Sequence, residues 1–163
     1  KGLMLYIQLV VIICCGIIAF QDFRERAVLW FLFPILAIAL AVLHLKNNSL
    51  EAFLWFSLIN FILVSVILLV LFLYTKYIMR KKFINVSFGI GDILFFYALT
   101  LGFPSITFIF IFVGSILFSI ILFLIFKNKW SLNTVPLAGL MGLYLLGVFI
   151  INYLPNMPFL YLI

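Results

Sequence analysis

Uncharged apolar runs divide the chain into segments, at 3–20, 27–43, 52–75, 105–126 and 135–154. Each reaches or approaches the roughly 20 residues that a helix needs to cross the hydrocarbon core of a bilayer. In lipid a helix satisfies its own backbone hydrogen bonds, so runs of this kind read as membrane helices. The window 83–103 is equally apolar but for one charge, Asp92. It predicts a fourth helix starting near Phe88. The expectation is an all-α, polytopic membrane protein, a bundle of six transmembrane helices forming one domain over residues 1–163. The connections are short, and only 76–87 is long enough to form a real loop. Internal repeats, low-complexity tracts and inter-domain linkers are absent from the sequence.

Composition points the same way. Of 163 residues 69% are hydrophobic and 9% charged, and the mean hydropathy is +1.45. Soluble domains carry about 25% charge, so a water-soluble globular fold is excluded. The formal net charge of +6 reads in so apolar a chain as membrane topology, and nucleic acid is not expected as a partner. Arg24, Arg26, Lys76, Arg80, Lys81, Lys82, Lys127 and Lys129 fall in loops one, three and five, against Lys1 and Lys46 on the opposite side. The positive-inside rule then predicts a multi-pass protein of the inner (plasma) membrane, with both termini outside and the odd loops cytoplasmic. The run Arg80-Lys81-Lys82 serves as a topology anchor. The first apolar run lacks a small-x-small cleavage pattern and is read as a retained helix rather than a signal peptide. Because the chain opens on Lys, a few residues are expected to precede it.

Only four carboxylates are present, and each has its own setting. Glu51 suits the positive N-terminal end of the third helix. Glu25, between Arg24 and Arg26, reads as a solvated loop charge. Asp22 closes the first helix, where an acid opposes the helix dipole. Asp92 lies in an otherwise charge-free window, and an acid at membrane depth costs about 2.5–3.5 kcal/mol even on lenient insertion scales. A protein-lined, wet cavity is the setting that keeps such an acid, although helix capping near the interface is the plainer role. An inward-running first helix and an outward-running fourth helix bring Asp22 and Asp92 to the same membrane face. Two carboxylates sharing one proton can activate a water and protonate a leaving amine, the chemistry of aspartic proteases.

Asp92 closes the stretch Ser87-Phe88-Gly89-Ile90-Gly91-Asp92. With Asp22 and the basic Arg24 and Arg26 after it, and with Val135-Pro136-Leu137-Ala138-Gly139 at the inner end of helix six, the chain resembles the type IV prepilin peptidases and their archaeal preflagellin relatives. These are six-helix membrane aspartic proteases with a Gly-x-Gly-Asp motif. Presenilin and signal-peptide-peptidase proteins share that motif but are longer and place their first Asp in a Tyr-Asp pair, where this chain has Gln21-Asp22. The resemblance implies that Asp22 and Asp92 are the catalytic pair, and that Gly89, Gly91 and Pro136 shape the site. It implies a prepilin-like substrate, with a basic leader ahead of a hydrophobic helix, cut at the cytoplasmic face. No metal or organic cofactor is implied. Bifunctional bacterial members carry an extra segment with paired Cys-x-x-Cys motifs linked to N-methylation, so peptidase activity without methyltransferase activity is expected here. Ala27-Val28-Leu29-Trp30 stands where the family usually has Ile-Pro-Asn, and Leu94 where it often has Lys.

The remaining polar residues have plainer readings. Cys14 and Cys15 are adjacent and serve as apolar filler. His44 reads as an interfacial residue of helix two, with no acid cluster to make a metal site. Ser57, Asn60 and Ser65 are expected to bond across helices. Two other functions compete with the peptidase: a small transporter or proton-relay protein using Asp92, and an inactive member of the same fold.

Overall fold

The computed structural model describes residues 2–78, 89–130, 135–152 and 160–161. Among these the chain forms six α-helices and no strand: α1 Gly2–Glu25, α2 Leu32–Asn47, α3 Leu50–Leu73, α4 Ile90–Thr100, α5 Ser105–Trp130 and α6 Leu137–Ile151. A single π-helical turn, Tyr74–Ile78, prolongs α3. There Thr75 Oγ1 donates to the Leu71 carbonyl at 2.8 Å. The expected start of the fourth helix at Phe88, the anchor Arg80-Lys81-Lys82, and Lys1 all lie outside the described residues.

The helices come in two lengths, where near-equal spans were expected. Gly2–Glu25, Leu50–Tyr77 and Ser105–Phe126 are long and apolar enough to cross a membrane, whereas α2, α4 and α6 have 16, 11 and 15 residues. At about 1.5 Å per residue, α4 spans about half of the hydrocarbon core. Local chemistry accounts for the shortening. Gly102 folds back on α4 through its N–H to the Leu99 carbonyl, 3.0 Å. Pro104 then starts α5 by accepting from the Phe108 N–H at 2.8 Å. Ser49 caps α3, its Oγ accepting from the Ala52 N–H at 3.3 Å, as N-cap serines do. In the first connection the chain leaves helical geometry after Glu25, so apolar residues 27–31 belong to the turn rather than to α2.

α1 packs against α6 and α2, α5 against α6 and α3, and α4 sits between α2 and α3. The α1–α6 approach depends on glycine. A side-chain carbon on Gly142 would lie 3.3 Å from the Cys15 carbonyl oxygen, and one on Gly139 would lie 3.4 Å from the Ala19 Cα. Small residues let membrane helices close to this distance. The core joins Ile18, Leu36, Leu40, Phe95, Leu99, Phe108 and Leu145 from several helices. Outward, the long helices expose large apolar side chains, Phe110 at 74% and Leu124 at 65%. Such surfaces suit lipid and would cost heavily in water.

Polar side chains tie the short helix into this frame. Asn60 is fully buried and donates through Nδ2 to the carbonyls of Thr100 (3.2 Å), which ends α4, and Phe103 (2.9 Å), just past it. Ser65 Oγ pairs with the Tyr97 hydroxyl at 3.1 Å. Ser57, expected to bond across helices, is buried without a hydrogen-bond partner. His44, read as interfacial, is fully buried within the protein, with Nδ1 donating to the Leu101 carbonyl at 3.1 Å and its ring among Phe53, Phe56 and Tyr161. The α4–α5 turn leaves that carbonyl without a helical partner, and the aromatic rings cover the rest of the imidazole. Cys14 and Cys15 are free and buried in α1. Glu51 sits exposed in the first turn of α3, and Glu25 is the exposed last residue of α1 rather than a loop residue.

Candidate active site

Asp22 belongs to the last turn of α1, and Asp92 is the third residue of α4. Asp22 therefore sits where its own helix repels an anion, and the compensation comes from elsewhere. The Gly139 N–H of α6 donates to Asp22 Oδ2 at 2.7 Å. The preceding amide, Ala138 N–H, donates to Asp92 Oδ1 at 2.8 Å. Consecutive backbone amides of one helix thus hold two carboxylates from two other helices. Asp92 also accepts the Gly89 N–H on Oδ2 at 3.3 Å, closing the N-terminus of its own helix. The capping role is real, but it occupies one oxygen of a group that also reaches across to α6.

The start of α6 explains the arrangement. A helix leaves its first N–H groups without intrahelical partners. Pro136 is the N-cap and offers no side-chain hydrogen bond. Its carbonyl accepts from the Leu140 N–H at 3.0 Å, which begins the helical ladder. The next orphan donors point at the acids, where the helix dipole favours negative charge. Pro136 itself is buried. Glycine at 139 fits a tight space: an added Cβ would lie 3.0 Å from both Cβ and Oδ2 of Asp22, so the aspartate would have to give way. At Gly89 an added Cβ would come within 3.0 Å of Asp92 Oδ2. Gly91 is looser, its nearest neighbour being Phe33 Cζ at 3.4 Å, an ordinary contact.

A cavity of about 850 Å³ opens beside the pair, with Asp22, Arg26, Gly91, Asp92 and Ala138 in its lining. Phe33, Leu94, Ile116 and Ile120 form apolar walls. Asp22, Asp92, Gly89 and Gly91 line this cavity and Pro136 lies between the lining residues Val135 and Leu137; Leu94, which stands where the resembled family often has Lys, also lines it. The chain matches no family model, no curated protein and no solved structure. What the site can do rests on its own geometry. Among the described residues no group of three or more His, Cys, Asp and Glu side chains is placed to hold a metal ion. Two contributors were not anticipated as site components: the backbone amides of Ala138 and Gly139, and the side chain of Arg26. Amides leave no signature in residue types, although Pro136 marks where such donors begin. Arg26 carried a signal, its place one turn beyond Asp22, but read as a loop cation.

Proposed function

We propose that this chain is a membrane-embedded aspartic endopeptidase of the prepilin-peptidase type, acting at the cytoplasmic membrane face without methyltransferase activity. The observation that carries the reading is the meeting of Asp22 and Asp92 across the first turn of α6, beside a cavity large enough for a peptide segment. In this reading one carboxylate is ionised and takes a proton from a water, whose oxygen attacks the scissile carbonyl carbon. The other, protonated, gives its proton to the amide nitrogen as the C–N bond breaks. The products are a carboxylic acid and an amine, and the pair again holds one proton. The apolar walls suit the hydrophobic helix of a prepilin-like substrate, and the acids suit its basic leader. All six helices lie in the bilayer in this proposal, the three short ones shielded by the long ones, with α1 running inward and α4 outward. The protein resides in the inner (plasma) membrane with both termini outside, on the asymmetry of its basic residues.

The test uses protein in lipid nanodiscs and a panel of prepilin-like substrates. Wild type is expected to remove the leader, and Asp22→Asn and Asp92→Asn to lose cleavage by about 10³-fold or more while remaining folded. Cleavage that survives either substitution overturns the two-aspartate mechanism.

A second reading has an observation of its own. Both acids act as caps across helices, so the pair also suits an inactive relative that keeps the fold. That reading expects no cleavage by wild type, together with a lowered melting temperature in both Asn variants.

A further inference from the structure

Arg26 is the one described non-glycine residue with a left-handed backbone, at φ 55°. Helices often end on a residue in this conformation, and they usually supply glycine there. A long side chain accepts the strain only where its surroundings hold it in place. Arg26 follows α1 directly, one turn beyond Asp22, and is half-buried in the cavity lining. It lines the same cavity as Asp22 and Asp92. The neighbouring charges turn outward: Arg24 lies 5.7 Å over the exposed Phe20 ring, and Glu25 is exposed. The turn is tied back to α1 by the Leu29 N–H, which donates to Gln21 Oε1 at 3.0 Å. Strain, tether and burial together hold one cation in the cavity that the acid pair borders.

We propose that Arg26 is a positioning residue of the site, the fixed counter-ion of the Asp22–Asp92 pair. The inference rests on the aspartic-peptidase reading above. Two neighbouring carboxylates away from bulk water do not readily ionise together, and an opposite charge nearby favours the ionised form. Arg26 thereby keeps one acid ionised as the base while the other retains its proton. Asp22 from α1 and Asp92 from α4 line the same cavity as Arg26. The cavity walls from α2, α5 and α6 add apolar side chains and backbone amides, and Arg80, Lys81 and Lys82 lie outside the described residues.

The experiment compares Arg26→Asn, Arg26→Lys and Arg26→Gly in nanodiscs. Asn tolerates the left-handed backbone and removes the charge. For Arg26→Asn, the acidic limb of the pH–rate profile is expected to move up by about one pH unit, so that kcat on that limb falls about tenfold with KM little changed. Arg26→Lys should keep most of the activity, and ethylguanidinium in solution should partly restore Arg26→Gly. A second readout needs no substrate: the infrared band of protonated carboxyls, followed through a pH titration and assigned with Asp22→Asn and Asp92→Asn. It should persist to higher pH in Arg26→Asn. Wild-type kcat and an unshifted band in Arg26→Asn overturn the counter-ion. Equal losses in Asn and Lys variants with an unshifted profile also overturn it, since a purely structural role predicts that. A wild type that cuts nothing, with the band still shifted in Arg26→Asn, overturns the peptidase reading and upholds the counter-ion.

Discussion

Gly139 shows how narrowly the acid pair is held. A methyl group there would come within 3.0 Å of the Asp22 carboxylate and 3.4 Å of the Ala19 backbone, so either the carboxylate or α1 must shift. Misplacing a catalytic group by about 1 Å can cost about 10²-fold in rate. Gly139→Ala is therefore expected to lower kcat for leader removal by roughly 10- to 100-fold, although alanine is the better helix former by about 1 kcal/mol. Unchanged kcat in a cleavage assay would mean that this contact does not position Asp22. Gly91→Ala, which meets only an ordinary contact with Phe33, should lose far less, and the two variants assayed side by side separate crowding from a general effect of glycine removal.

Helix α4 carries Asp92 yet is too short to fix its own position. Its far end is held by Asn60, whose one side chain serves the carbonyls of Thr100, the last residue of α4, and of Phe103 beyond it. Asn60→Leu keeps the number of side-chain heavy atoms and strands both carbonyls in the core, at a cost of about 1–3 kcal/mol. Ser65→Ala removes one bond to Tyr97, and such interhelical bonds average about 0.6 kcal/mol in membranes. Thermal unfolding in detergent should therefore show a clearly larger drop for Asn60→Leu than for Ser65→Ala. Equal melting temperatures for Asn60→Leu and wild type would remove Asn60 as the brace of α4. Helix order and the alternation of apolar and charged stretches were legible in the sequence, because excluding charge from lipid is a local requirement. The two helix lengths were not. They depend on Gly102, Pro104 and the turn after Glu25, which an apolar-run count treats as span.

Sidedness belongs to the arrangement of all six helices. If α1 runs inward and α3 inward again, Arg24 and Glu51 lie on opposite membrane faces, and Val135 shares the face of Arg24. In intact cells a membrane-impermeant maleimide should modify Glu51→Cys, and modify Arg24→Cys and Val135→Cys only after permeabilisation. The native Cys14 and Cys15 are buried and should not interfere. Labelling of Arg24→Cys and Glu51→Cys from the same side would rule out the six-span topology.

The residue order by itself predicts helices suited to lipid, one acid that is costly at membrane depth, and a second acid whose helix is expected to run toward the same end. Those inferences need only the price of burying a charge and the direction in which successive helices run. Which groups answer the acids was decided by the tertiary structure. The Gly139 amide reaches Asp22 across 117 positions of chain, and a backbone N–H is the same in every residue except proline, so no residue pattern advertises it. Arg26 entered the site through a backbone conformation that its residue type disfavours. His44 is buried in the core, where the Leu101 carbonyl of the α4–α5 turn takes its ring N–H. In each case the deciding partner is a main-chain group or a backbone angle, and these acquire a place only when distant helices pack.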